Sequence, residues 1–310
     1  MGLEPSPRPG TFLACSYSFG EYGDYLPIYI YCLLRAYPDT AAARMYYGGR
    51  LGDDARRALD VVARATTGRF EVIEGSPIPL TPGHYGPGVR FLMGREHFAG
   101  HAYGYIADID NLIVPEEPGL VADEVAKMAA LGRPYANVVR TAEEHREEMC
   151  GWHFFEVGPY FAAMQPVIEA ARADPAAHTR PEPRSAGAEW HSFDEHMLYR
   201  MVKRGVGLSE WDEERPYAWI NEHGFHLGMA RVGLSYPDWW RDNPVLRAEA
   251  LDLLADPAFA AIRATLPPWI ESQVAALDAF FHGPARPWKG PLPPSPPPRP
   301  ADAAHAFPRP

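Results

Sequence analysis

Three short stretches of the chain gather side chains able to do chemistry. In "GYIADIDNLIV" (104–114) an apolar run is interrupted by two carboxylates one residue apart, Asp108 and Asp110. Residues i and i+2 of a strand face the same way, so the pair is expected to converge, and two close carboxylates repel unless a cation or a proton intervenes. A hard divalent ion with positions left open for phosphate oxygens would resolve that repulsion. The plainer reading is an Asp turn at a strand end. In "WHSFDEHML" (190–198), Asp194 and Glu195 stand in what reads as the acidic first turn of a helix, a place that capping alone explains. In "NEHGFHLG" (221–228), His223 and His226 are three apart, a spacing that puts both on one face of a turn or helix and makes the segment a source of metal ligands.

The elements that must position these groups are legible upstream. "TFLACSY" (11–17) reads as a strand, "DYLPIYIYCLLRAYPD" (24–39) as a helix and "AARMYYGG" (42–49) as a strand. "DDARRALDVVARATTG" (53–68) follows as a capped amphipathic helix and "FEVIEG" (70–75) as a third strand. Such alternation predicts an α/β fold, a mainly parallel sheet with helices on its faces. A loop dense in proline and glycine (76–88) leads to "VRFLMGREHFAGHA" (89–102), which predicts a helix, and then to the strand that ends in the aspartates. That is a C-terminal strand end, where open α/β sheets bind ligands. Beyond it the pattern predicts a helix over 121–131, a strand near 152–157, a helix near 159–172, a surface insert over 173–189, a helix over 190–205 and two helices within 245–281. The reading is one domain over 1–290, followed by a proline-rich tail (291–310) that is extended or disordered.

Composition narrows the class. The chain has 310 residues, 46% hydrophobic and 22% charged, with a formal net charge of −11, which argues against nucleic acid as a partner. An acidic protein that handles anionic ligands needs a metal or local arginine and lysine. Cys15, Cys32 and Cys150 are too few and too scattered for a disulfide framework or a zinc knuckle. No uninterrupted apolar run approaches the roughly 18 residues of a transmembrane segment, and "MGLEPSPRPG" lacks the features of a signal peptide, so a cytoplasmic protein is expected.

The whole pattern "VRFLMGREHFAGHAYGYIADIDNLIV" resembles the GT-A glycosyltransferases, in particular the retaining group that includes glycogenin and bacterial lipooligosaccharide galactosyltransferases. There an arginine-bearing helix precedes a hydrophobic strand and an Asp-x-Asp, and Arg90 stands in the arginine's place. The resemblance implies a Rossmann-like GT-A fold with a C-terminal helical segment, a nucleotide-sugar donor (a UDP-sugar), a divalent ion (Mn²⁺ or Mg²⁺) and a retained anomeric configuration. The acceptor it leaves open: a saccharide, a lipid-linked or a small-molecule acceptor. By the same resemblance Asp108 would touch the donor and the metal, Asp110 would bind the metal, and Arg90 would hold the donor. Cys15, Ser16 and Tyr17, at the end of the first strand, would face the base and ribose.

"WHSFDEHML" resembles both the Asp-Gln-Asp stretch of that group and the "WHDESHL" stretch of blood-group-type transferases. Carried over, Asp194 would hydrogen-bond a sugar hydroxyl, and Glu195 would lie beneath the anomeric carbon as nucleophile or as stabiliser of an oxocarbenium-like state. The group's last metal ligand is a histidine in His-x-x-Gly-x-x-Lys-Pro-Trp, whose second half "FFHGPARPW" (280–288) resembles; Phe280 takes the histidine's position and His282 is out of register. The third ligand is therefore expected to be His226, then His223, then His282. A second departure is Met149 at the asparagine of an Asn-x-Gly segment that keeps Gly151, with Trp152 and His153 after it as a candidate acceptor platform. Two other readings stand beside this one: a transferase-like carbohydrate-binding protein that has lost turnover, and a phosphatase-like hydrolase. The second wants threonine where Leu112 stands.

Overall fold

A computed structural model describes residues 10–81, 86–137, 139, 148–174, 193–208, 223–231, 236–237, 240–241 and 243–282. The insert from 175 onward, the resemblance at Gly283, Arg286, Pro287 and Trp288, and the proline-rich tail lie outside the described residues.

The first strand, β1 (Phe12–Ser18), is buried along its whole length, as a strand covered on both faces must be. It pairs in parallel with β2 (Ala41–Tyr47) and with β4 (Tyr103–Ile106), and β2 pairs in parallel with β3 (Arg69–Glu74). Beyond β4 the sheet turns antiparallel through β7 (His153–Glu156) and β6 (Tyr135–Ala136), giving the order β3-β2-β1-β4-β7-β6. The fold is thus α/β, with a mixed, mainly parallel six-stranded sheet flanked by helices.

The pleat of β1 divides the core. Phe12 and Ala14 belong to one apolar cluster, with α1 (Leu26–Ala36) and α2 (Asp53–Ala65); Leu13, Cys15 and Tyr17 belong to the other, with α4 (Val157–Ala173) and α5 (Phe193–Gly205). The first cluster extends into the C-terminal helices α7 (Pro244–Ala255), α8 (Pro257–Arg263) and α9 (Pro268–His282). The two helices expected over 245–281 are three because Asp256 ends one and caps the next, its side chain accepting from the Ala258 and Phe259 N–H groups with Pro257 at the first helical position.

Two local expectations change. Residues 89–102 form two 3₁₀ turns, Pro87–Leu92 and Arg95–Phe98, parted by the extended backbone of Gly94, in place of one helix. The strand expected to end in the aspartates stops earlier, at Ile106. After β4 the chain bends, and β5 (Asn111–Ile113) leaves the main sheet to pair antiparallel with β8 (Gly224–His226) in a two-stranded ribbon. Between β5 and β6 lies α3 (Leu120–Leu131), and β8 runs on into the single turn α6 (Gly228–Arg231).

Candidate functional site

The bend between β4 and β5 lies at the C-terminal edge of the parallel strands and is held from both sides. The Ser16 hydroxyl donates to the Ala107 carbonyl at 3.0 Å, and the Asn111 side-chain amide donates to the Asp108 carbonyl at 2.9 Å. Because 107–110 are not in a strand, alternation does not govern the two aspartates, and they take different neighbours. Asp108, about one-third exposed, is ion-paired with the Arg90 guanidinium. Asp110 is 3% exposed and faces the His226 ring, Oδ1 to Nε2 3.6 Å.

Arg90 joins the first constellation to the second. It lies within the 3₁₀ turn Pro87–Leu92, is buried, and donates from its other terminal nitrogen to Asp194 Oδ2 at 2.7 Å. Burial opposes its charge, but Asp108 and Asp194 outweigh burial and hold the guanidinium above its ordinary pKa. Burial pushes the Asp194 carboxyl up; Arg90 opposes that shift and Asp108 adds to it. Glu195, its neighbour in the first turn of α5, is also buried, and its backbone carbonyl accepts from the Met149 N–H at 3.3 Å. The 149–152 segment forms the floor: a Cβ on Gly151 would overlap Asp108 Oδ2 and stand 3.0 Å from Arg90 Nη2. Asn137 locks this floor, accepting from the Cys150 N–H at 3.1 Å and donating to the Trp152 carbonyl at 2.6 Å. Sequence reasoning missed Asn137, since "PYANVV" carries nothing that separates it from an ordinary loop asparagine.

Of the three candidate histidines, His226 is the one beside Asp110. The ribbon explains why: Asn111 pairs with His226, and the Leu227 N–H donates to the Asp110 carbonyl at 2.8 Å. Gly228 keeps the space open, for a Cβ there would overlap the His226 ring and reach 2.8 Å from Asp110 Oδ2. His223 stands apart, buried between Glu116 Oε2 at 3.0 Å and Glu124 Oε1 at 2.8 Å. Burial opposes its charge, but the two carboxylates raise its pKa to about 9. His282 is exposed at the end of α9, 3.3 Å from Asp278.

Carboxylate and imidazole are both ligands a divalent ion can take. The 3.6 Å between Asp110 and His226 lets both reach one ion, since each ligand sits about 2.0–2.2 Å from it. Asp108, held on Arg90, does not complete a three-ligand cluster with them. Among the described residues the group whose ligand atoms come within 4.8 Å of one another is Asp123, Glu124 and His223. There Lys127 Nζ already lies 2.6 Å from Asp123 and 2.9 Å from Glu124.

Cys15 and Ser16 are interior. The Cys15 thiol lies 3.4 Å from the Met93 sulfur and burial pushes it up, while Ser16 braces the bend. Tyr17 is the candidate of this group that reaches the C-terminal edge, its hydroxyl against Gly48 and its ring 6.0 Å from that of Phe19. Trp152 and His153 are core side chains and form no open platform; burial brings the His153 pKa down to about 3.

No protein-family model matches the sequence, and no curated protein matches it. Solved structures that it resembles include glycosyltransferases. The galactosyltransferase LgtC, in complex with donor and acceptor sugar analogues, is 13% identical over 64% of this chain and 71% of that one, with a TM-score of 0.39. GlyE of Streptococcus pneumoniae TIGR4 is 10% identical over 88% and 64%, with a TM-score of 0.43. The mannosyltransferase PcManGT of Pyrobaculum calidifontis, in complex with GDP-Man and Mn²⁺, is 13% identical over 92% and 78%, with a TM-score of 0.39. At such identities chemistry has to be read from this chain's own side chains.

Proposed function

We propose that this chain is a metal-dependent glycosyltransferase that moves a sugar from a nucleotide-sugar donor, a UDP-sugar, to a saccharide, lipid-linked or small-molecule acceptor with retention, working in the cytoplasm as one catalytic domain over 1–290. The observation that carries this reading is the link Asp108–Arg90–Asp194, which draws two constellations 86 residues apart to one strand edge, with Asp110 and His226 beside it. Three carboxylates, Asp108, Asp194 and Glu195, surround one arginine, so the site admits a diphosphate only with a cation to offset the added charge. A divalent ion on Asp110 and His226 would supply that offset and stabilise the departing diphosphate.

In the transfer, the bond from the anomeric carbon to the phosphate oxygen breaks, the acceptor hydroxyl oxygen bonds to that carbon, and the hydroxyl proton passes to the departing phosphate. Asp108 and Asp194, fixed on Arg90, orient the sugar. Glu195 lies next to them as nucleophile or as stabiliser of positive charge at the anomeric carbon. Placement of the aspartates after β4, away from the first strand, counts against the phosphatase-like reading. No described helix is long and apolar enough to cross a membrane.

Thermal shifts with a panel of nucleoside diphosphates, with and without Mn²⁺, test the proposal, because a ligand that binds the folded state raises the midpoint. Stabilisation by one nucleotide in the presence of Mn²⁺, lost in Asp110→Asn, is the expected result. No shift with any nucleotide, or an unaltered Mn²⁺-dependent shift in Asp110→Asn, overturns it.

A further inference from the structure

His226 owes its place beside Asp110 to a ribbon only three residue pairs long: Asn111 with His226, Leu112 with Phe225, Ile113 with Gly224. In so short an antiparallel pair the register is weakly determined by the backbone, and a slip of one residue turns every side chain to the other face. Something must fix it. At the Asp110 end the Leu227 N–H bonds to the Asp110 carbonyl. At the other end stands His223, the residue immediately before β8. Its Nδ1 bonds to Glu116, just beyond β5, and its Nε2 to Glu124 in α3. The ring meets Tyr105 and Trp152 edge-on, with centroids 6.5 Å and 6.2 Å away. Lys127 bonds to Asp123 and Glu124, so three carboxylates face two cations in the cluster.

We propose that His223 is a positioning residue: by tying β8 to the loop after β5 and to α3 at once, it sets the register of the ribbon and so holds His226 against Asp110. The cluster that could be taken for a second cation site is then a fixed internal clamp, with Lys127 and the imidazolium as its cations. That the positioned histidine serves a metal rests on the function proposed above; the clamp itself does not.

The Leu227 amide reports the register directly. In His223→Gln its hydrogen-exchange protection is expected to fall about tenfold or more while amides of β1 and β2 keep theirs. Unchanged protection at Leu227 overturns the proposal. If the variant does not fold, the unaltered protein answers through pH. The groups facing His223 are Glu116 and Glu124, with Asp123 and Lys127 behind and the Tyr105 and Trp152 rings at the sides. Raising the pH through about 9 removes the proton the clamp needs. Protection at Leu227, corrected for base-catalysed exchange, should drop there ahead of β1, and a flat profile overturns the proposal. Mn²⁺-dependent nucleotide binding measured on the same samples separates the two readings: its absence in the unaltered protein sinks the metal site and leaves the register result standing.

Discussion

Gly151 and Glu195 put the site to the test at the scale of single residues. A methyl group on Gly151 would overlap the Asp108 carboxylate and crowd Arg90, so Asp108 could keep its place only if the floor moved. In Gly151→Ala we expect nucleotide affinity, measured by titration calorimetry in Mn²⁺, to fall about tenfold or more, at a stability cost of about 1–3 kcal/mol from overpacking. Unchanged affinity would mean that donor binding does not depend on where Asp108 is held. Glu195→Gln keeps shape and removes charge. It should spare donor binding and slow transfer about a hundredfold or more. Turnover equal to the parent protein would remove Glu195 from the mechanism. Donor binding without turnover in the parent protein would favour the carbohydrate-binding reading instead.

At the scale of elements, the sequence announced the parallel strands and their helices, because β1 and β2 are apolar runs bounded by turn residues, β3 alternates charged and apolar residues over Arg69, Phe70, Glu71 and Val72, and α2 alternates its faces at helical spacing. It did not announce the ribbon. In "ADIDNLIV" the aspartates read as the end of the preceding strand because the apolar run leads into them, and only pairing with a segment more than a hundred residues away shows that 111–113 form a second strand. The same long-range pairing brings His226, and not His223, beside Asp110, a difference that spacing alone does not show. Asp256 was hidden for a related reason: it looks like any acidic residue before proline, yet it caps α8 and also accepts from the Tyr31 hydroxyl at 2.7 Å and Arg35 Nε at 3.2 Å, joining α1 to the C-terminal helices. Asp256→Ala should cost about 2 kcal/mol, read as a lower urea midpoint at constant m-value. Asp256→Asn, which retains the cap, should cost less. Equal costs would assign the joint to charge alone.

At the scale of the whole molecule, the buried histidines shape stability against pH from opposite sides. His153 is fully buried, and burial brings its pKa down to about 3, so it stays neutral in the folded chain. Below pH 6.5 the unfolded chain takes up a proton there that the folded chain refuses, and stability falls as the pH drops toward 3. His97 and His101, also held down mainly by burial, add to this acid limb. His223 does the reverse. Burial opposes its charge, but the Glu116 and Glu124 carboxylates raise its pKa to about 9, so its contribution is complete below pH 6.5 and is lost as the pH rises through 9. Both limbs pivot on the unfolded value of histidine, and stability should therefore peak near pH 6.5. Each fully shifted histidine tilts its limb by up to about 1.4 kcal/mol per pH unit. Urea unfolding at fixed ionic strength between pH 5 and 9 measures the profile. His153→Phe should flatten the acid limb and leave the alkaline one, while His223→Gln should flatten the alkaline limb and leave the acid one. A profile that rises steadily from pH 6.5 to 9 in the unaltered protein would show that His223 is not held as an imidazolium between its two carboxylates.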